Sequence, residues 1–249
     1  MGIRRAIVIP DCHIPFHDEE AYNLMLDVAR DIEPDGIFIL GDFADFYDIN
    51  SHGKDPGIQS TLRDEVYEVH KKLKQICELF PRAEKHFCQG NHEYRLERYI
   101  DSKCPELFDL VKTEDVLKLD DYGFNYYPYG PNQLCRIFNS SLYARHEPLS
   151  GGLHCAHGTV SKAMKSVIFG HTHRIQESQI VSLDGENFRG ISSGWLGDKS
   201  SEVFDYVKNH HQWALGFSIV TVLGDGTWFN QLIHIIDYKC VSDGFVYEK

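Results

Sequence analysis

The first hundred residues alternate between short unbroken apolar runs and longer stretches whose apolar residues recur every three or four positions. Arg5-Ala6-Ile7-Val8-Ile9-Pro10 is apolar at consecutive positions and β-branched, which predicts a buried strand. Gly36-Ile37-Phe38-Ile39-Leu40 reads the same way, and Lys85-His86-Phe87-Cys88-Gln89 more weakly. Between them, Leu24, Met25, Val28 and Ile32 share one face of a helix predicted from Glu19 to about Ile32, and Asp18-Glu19-Glu20 favours its positive end. Leu62, Val66, Val69, Leu73, Ile76 and Phe80 predict a long amphipathic helix over 62–80. Thr61 with Asp64 forms a capping-box pattern at its start, and Pro81 stops it. Helical sequence resumes through Leu96, Tyr99 and Ile100 until Pro105, whereas 51–57 is polar, punctuated by Gly and Pro, and reads as a loop.

After Lys118 the texture changes. Aromatic and loosely alternating segments at 122–129 and 134–146 predict two or three strands, and Gly151-Gly152 breaks the chain. A short helix over 154–165 precedes the apolar run Ser166-Val167-Ile168-Phe169. Strand-like runs follow at 179–182, 188–191, 217–222 and 231–236, with turns at Asp184-Gly185, Asp225-Gly226 and Asp243-Gly244. The first half is therefore βαβα with a parallel edge and the second half antiparallel. The expected fold class is α/β, two mixed sheets packed as a sandwich and flanked by helices, in one domain over 1–249.

Composition narrows the function classes. A chain of 249 residues is ample for a sizeable core. Its net charge of −12 disfavours broad binding to duplex DNA, though a local basic patch remains open. No apolar run approaches the roughly 20 residues of a membrane span, and the N-terminus is too brief for a signal peptide. The seven cysteines are scattered without a C-x-x-C, which points to a reducing cytoplasm and away from a thiolate zinc site. No obligate protein partner is evident. Fourteen histidines are a surplus.

Those histidines and several carboxylates fall at strand ends, where an open α/β sheet places its site. Asp11 and His13 follow the first strand, Asp42 and Asp45 the second, Asn91 and His92 the third, and His171 and His173 the run ending at Phe169. A single His-x-His is weak evidence, because one member usually packs and the other is solvated. Gly90-Asn91-His92-Glu93 and Gly170-His171-Thr172-His173 are more specific, and the ordered combination is strong.

At these motifs the chain resembles the calcineurin-like metallophosphoesterase superfamily, from about Ile7 to Arg174. A looser likeness to small phage and bacterial members extends through Gly194-Trp195-Leu196 and Trp213-Ala214-Leu215-Gly216-Phe217. The resemblance implies a four-layer α/β/β/α fold with a motif core of about 5–175, strands over about 176–249 and, if the chain is phage-encoded, the host cytoplasm. It also implies two divalent metals: Asp11, His13 and His173 hold one, Asn91, His171 and a lone histidine the other, and Asp42 bridges them. Mixed carboxylate, carboxamide and imidazole ligands suit Mn²⁺ first, with Fe, Zn²⁺ or Ni²⁺ as alternatives. The resemblance makes His92 the proton donor to the leaving group rather than a ligand, with Asp45 on its other ring nitrogen, while a shared, metal-activated hydroxide attacks phosphorus in line.

His146, His154 and His157 all qualify as the lone histidine by type. Only nine residues separate Gly158 from Val167, too few for a parallel crossover, so His146 is chosen and His157 kept second, otherwise a helix-face histidine near the core. Cys12 reads as a packing residue, His17 and His52 as solvated loop residues, and His86 and His210-His211 as surface or packing residues. Arg95, one helical turn after Asn91, is a candidate for touching substrate phosphate, since a guanidinium suits a phosphate. Asp45 is followed by Phe46-Tyr47 rather than the Arg-Gly of the Ser/Thr protein phosphatases, and the chain lacks the length and basic surface of the DNA-repair nucleases. The expected substrate is a nucleotide or a nucleic-acid end. A protein phosphatase, a DNA nuclease, or a silent metal-binding module are the alternatives.

Overall fold

The computed structural model describes residues 2–50, 57, 58, 60–204 and 210–249. Segment 51–56, with His52, lies outside the described residues. The strands in chain order are β1 (Ile3–Ile9), β2 (Gly36–Ile39), β3 (Glu84–Cys88), β4 (Phe124–Tyr127), β5 (Cys135–Arg136) and β6 (Leu142–Arg145). They continue as β7 (Ser166–Phe169), β8 (Ile175–Val181), β9 (Asn187–Ser193), β10 (Gly216–Leu223), β11 (Trp228–His234), β12 (Lys239–Ser242) and β13 (Phe245–Glu248). The helices are α1 (Glu19–Ile32), α2 (Leu62–Leu79), α3 (Arg95–Lys103), α4 (Thr113–Val116) and α5 (Cys155–Ala163).

One sheet runs β11-β10-β1-β2-β3-β4 and the other β5-β6-β7-β9-β8. β1 to β4 pair in parallel, and β10 and β11 add an antiparallel edge. β6, β7 and β9 are parallel, with β5 and β8 antiparallel at the flanks. The unbroken apolar character of β1 has a direct cause. Ala6 and Val8 join the core between the sheets, with Phe38, Leu40, Ile168 and Val220, while Ile7 and Ile9 join the core beneath the first helices. Both faces are buried, so alternation is lost. α1 and α2 cover the outer face of the first sheet, and α5 packs on the second. The result is two mixed sheets flanked by helices.

Both long helices start at the capping side chains expected of them: Asp18 accepts from the Ala21 N–H and Thr61 from the Asp64 N–H. β8 begins four residues earlier than its apolar signal at 179–182, because it is an outer strand whose residues are at most half-buried and need not be apolar. The β12–β13 hairpin around Asp243-Gly244 has no clear pattern either, since most of its side chains stay exposed. Among the described residues, no helix is long and apolar enough to cross a membrane.

Candidate metal centre

The loops after β1, β2, β3, β6 and β7 meet at one end of the sheets, and backbone hydrogen bonds lace them together. The Asp42 carbonyl accepts from the N–H groups of Cys12 and His13, and the His146 carbonyl from that of Gly170. The Asp11 carboxylate accepts from the His171 N–H at 2.8 and 2.9 Å, and Asp42 Oδ1 from the His92 N–H at 2.8 Å. Four residues here take left-handed backbone: His13 (φ 55°), Asp42 (φ 47°), His171 (φ 64°) and His173 (φ 56°). Such conformations cost about 1–3 kcal/mol each and gather where function demands a particular side-chain direction.

Two candidate ligand sets result. Asp11, His13 and His173 form one and Asp42, His146 and His171 the other. In the first, His13 Nε2 and His173 Nε2 lie 3.1 Å apart, and His173 Nε2 is 3.0 Å from Asp11 Oδ2. In the second, His146 Nε2 and His171 Nδ1 are 3.3 Å apart and both face Asn91 Oδ1, at 2.9 and 2.7 Å. Asp42 Oδ2 is 3.3 Å from His146 Nε2.

Second partners fix the tautomers. His13 directs Nδ1 at Asp45 Oδ2 (2.9 Å), and His146 directs Nδ1 at the Leu40 carbonyl (2.9 Å). With a proton on each Nδ1, both Nε2 lone pairs point into the clusters. Converging lone pairs and carboxylates repel unless a cation or protons sit among them. The titration directions carry the same message. Burial opposes ionisation of Asp42, yet the charges of His146 and His92 hold it well below the usual carboxylate range. His146 goes up to about 9 because the charge of Asp42 outweighs burial, and burial together with His146 drives His171 down to about 4. The donor set thus fits divalent cations.

His92 sits beside these sets. Its Nδ1 is 3.1 Å from both the carbonyl and Oδ2 of Asp45, and its Nε2 is 3.8 Å from Asp42 Oδ2. His13, Asp42 and His92 form a third possible ligand set on distance alone. Asp42 and Asp45 raise His92 against the effect of burial. Arg95 bonds the Asp45 carbonyl (2.9 Å) and Oδ1 (3.2 Å), and its other nitrogen lies 3.0 Å from His92 Nε2. So Asp45 serves three partners, His13, His92 and Arg95, where the sequence suggested one.

His157 is exposed on α5, with Nδ1 3.2 Å from Ser178 Oγ. Its expected place near the core is wrong, because α5 buries Cys155, Ala156, Thr159 and Val160 instead. His17 is half-buried rather than solvated, bonded to Glu19 Oε2 at 2.6 Å and edge-on to Tyr22. Cys12 is fully buried, His211 is exposed, and His86 stacks on Phe38.

Four contributors to the site escaped the sequence reading. Buried Glu93 accepts from the N–H groups of Asp42, Ala44 and Gly90 at 2.8–2.9 Å, tying the β2 and β3 loops together. Burial raises it to about 7. Buried Glu65, from α2, holds the N–H groups of Tyr47 and Asp48, just beyond Asp45. Trp195 stacks on His173 with ring centroids 4.8 Å apart, and Trp213 meets the same ring edge-on at 4.3 Å. The Gly-Asn-His-Glu motif did display Glu93. Trp195 and Trp213 follow His173 by 22 and 40 residues. The β8–β9 hairpin, in which Ile175 pairs with Ser193, carries Trp195 back alongside His173, and Trp213 joins through the bridge between Trp195 and Leu215.

A two-sheet α/β sandwich with carboxylates and imidazoles converging at its strand ends defines a metallophosphoesterase-type protein. The chain matches the model of the calcineurin-like phosphoesterase family over residues 4–233 and belongs to that family. It is 22% identical over 260 residues to the Gene 54 protein of Mycobacterium phage L5, covering 98% of this chain and 99% of the relative. The Gene 54 protein of Mycobacterium phage D29 is 24% identical over 257 residues, with the same coverage. Among solved structures, Vacuolar Protein Sorting 29 from Cryptosporidium parvum shares the fold at a TM-score of 0.50 and 10% identity, with 99% of each chain covered. Yfce, a phosphoesterase from E. coli, superposes at a TM-score of 0.40 and 12% identity, over 92% of this chain and 98% of that one.

Proposed function

We propose that this chain is a two-metal phosphoester hydrolase acting on a nucleotide or a nucleic-acid end. The observation that carries the reading is the pair of lone-pair clusters, His13–His173–Asp11 and His146–His171–Asn91, with Asp42 reaching the second. In this reading Asp11, His13 and His173 would hold one cation and Asn91, His146 and His171 the other, with Asp42 shared between them; manganese is the first choice. Two dications there would acidify a shared water and offset charge on the attacked phosphoryl group. The protein's part is orientation and proton transfer. Asp45 and Leu40 hold His13 and His146 in the ligating tautomer, and Trp195 and Trp213 wall the His173 ring.

His92 delivers a proton from Nε2 to the leaving oxygen, while Nδ1 stays on Asp45. Arg95 faces that same Nε2. A bound phosphoryl oxygen competes for the guanidinium, which draws Arg95 to substrate and leaves Nε2 facing the leaving group.

The test is hydrolysis with added Mn²⁺ of p-nitrophenyl phosphate, nucleotides, oligonucleotides and phosphopeptides. Activity on nucleotides or oligonucleotides, lost with EDTA and restored by Mn²⁺, is expected. Activity on phosphopeptides alone would reject the substrate class, and no metal-dependent hydrolysis of any kind would reject the enzyme. The ligand assignment has its own check in elemental analysis. His146→Ala is expected to lose about one metal equivalent per chain and His157→Ala none, and the reverse would exchange their roles.

A further inference from the structure

A groove of about 450 Å³ opens beside the metal centre, between α3 and the turn Tyr47–Ile49. Asn91 and Arg95 line both the groove and the centre, so the two spaces are continuous. From there α3 carries Arg98, Tyr99 and Lys103 along the groove, on a helix whose rise of 1.5 Å per residue spreads Arg95 to Lys103 over roughly 12 Å. Three cations thus line it against one carboxylate, Asp101, in a chain whose net charge is −12. Among the described residues, Arg98 and Lys103 have no ion-pair partner, and Tyr99 leaves 43% of its surface exposed.

We infer that this groove seats a single nucleic-acid strand that leads away from the phosphate held at the metal centre. The inference rests on the phosphoester reading of that centre and names its substrate class. A row of cations with an exposed aromatic ring among them suits a chain of phosphates carrying bases: the cations track the backbone and the ring stacks a base. A mononucleotide has no phosphate for the far end at Lys103. A duplex would bring its second strand against the acidic remainder of the surface. Phosphopeptides offer no regular stacking partner for Tyr99.

Binding is read by fluorescence anisotropy on the Mn²⁺-loaded full chain, with a 3′-labelled oligothymidine tetramer whose 5′-thiophosphate and phosphorothioate linkages resist cleavage. Arg98→Ala/Lys103→Ala is expected to weaken binding about tenfold and to lower the salt slope by about 1.4, near 0.7 for each phosphate of the single strand that is no longer neutralised. Tyr99→Ala is expected to weaken it threefold or more. Arg63→Ala/Lys118→Ala makes the same change in net charge at exposed positions outside the groove, and is expected to stay within twofold of wild type. The inference is overturned if wild type does not bind the tetramer, if the groove variant stays within twofold, or if the control variant loses as much. Thymidine monophosphate competing as tightly as the tetramer overturns it too. Turnover is measured separately on p-nitrophenyl phosphate. Its absence in wild type, together with absence on every other substrate of the panel above, would reject the phosphoesterase reading, while the binding arms decide the groove independently.

Discussion

His92→Ala is expected to lower turnover of an aryl phosphate by about 10²–10⁴-fold, the usual worth of a positioned acid, while the protein stays folded and keeps its metal. The local bonding explains both halves of that outcome. What holds the neighbouring ligands in place is the His92 backbone N–H, which reaches Asp42 Oδ1 and survives the substitution. Arg95 loses one partner but keeps the Asp45 carbonyl and Oδ1. The imidazole itself is the only group removed from the reaction path. Because His13, Asp42 and His92 also lie close enough to hold an ion, metal content is the deciding measurement. Loss of a metal equivalent would make His92 a ligand, and unchanged turnover would remove it from the mechanism.

Gly90→Ala is expected to be the most damaging loss of a single hydrogen. A Cβ on Gly90 would lie 2.2 Å from both the backbone nitrogen and Oδ1 of Asp42, and 2.8 Å from Glu93 Oε2. The first clash involves backbone, which cannot swing aside as a long side chain does. Relief requires the β2 and β3 loops to part, which breaks the Glu93 bonds that tie them and displaces the Asp42 carboxylate between the two ligand sets. Overpacking of this kind costs about 1–3 kcal/mol, and here it falls on the site itself. Activity should drop to background, metal content should fall and the melting temperature should decrease. Gly151→Ala, whose new Cβ would meet nothing within 4 Å, is the control and should match wild type. Wild-type metal content in Gly90→Ala would mean that the two loops can separate without cost.

Much of this was legible in the chain because ligand chemistry and strand ends are both local. Asp11, Asp42, Asn91 and His171 each follow an apolar run within a few residues, and parallel strands carry such positions to one edge of their sheet. His146 was readable for a topological reason, since β6 runs parallel to β7 with α5 between them. What the sequence concealed is the set of contacts that cross between elements. Asp45 reads as the partner of His92, but the reach of its carboxylate to His13 depends on the β1 and β2 loops lying side by side. Glu65 looks like any acidic residue in the first turn of a helix until the turn after Asp45 is seen folded over it. Arg95 has a helical position that is plain from spacing, yet its approach to His92 follows from a side-chain conformation that spacing does not encode.

The left-handed residues at His13, Asp42, His171 and His173 have a consequence for how such a protein drifts. Each holds an uncommon backbone angle, and Asp11, Asp42 and Asp45 bring three carboxylates into a buried space. The site therefore lies among the least comfortable parts of the molecule, while the two apolar cores on which the fold rests lie elsewhere. Glycine or asparagine at a left-handed position, or an uncharged side chain in place of a buried aspartate, relieves strain without disturbing either core. Selection for stability alone would thus erode the chemistry first and the architecture last. Under the phosphoesterase reading, silent descendants would be downhill neighbours of an active ancestor, and only a continued demand for the reaction would keep the strained residues in place.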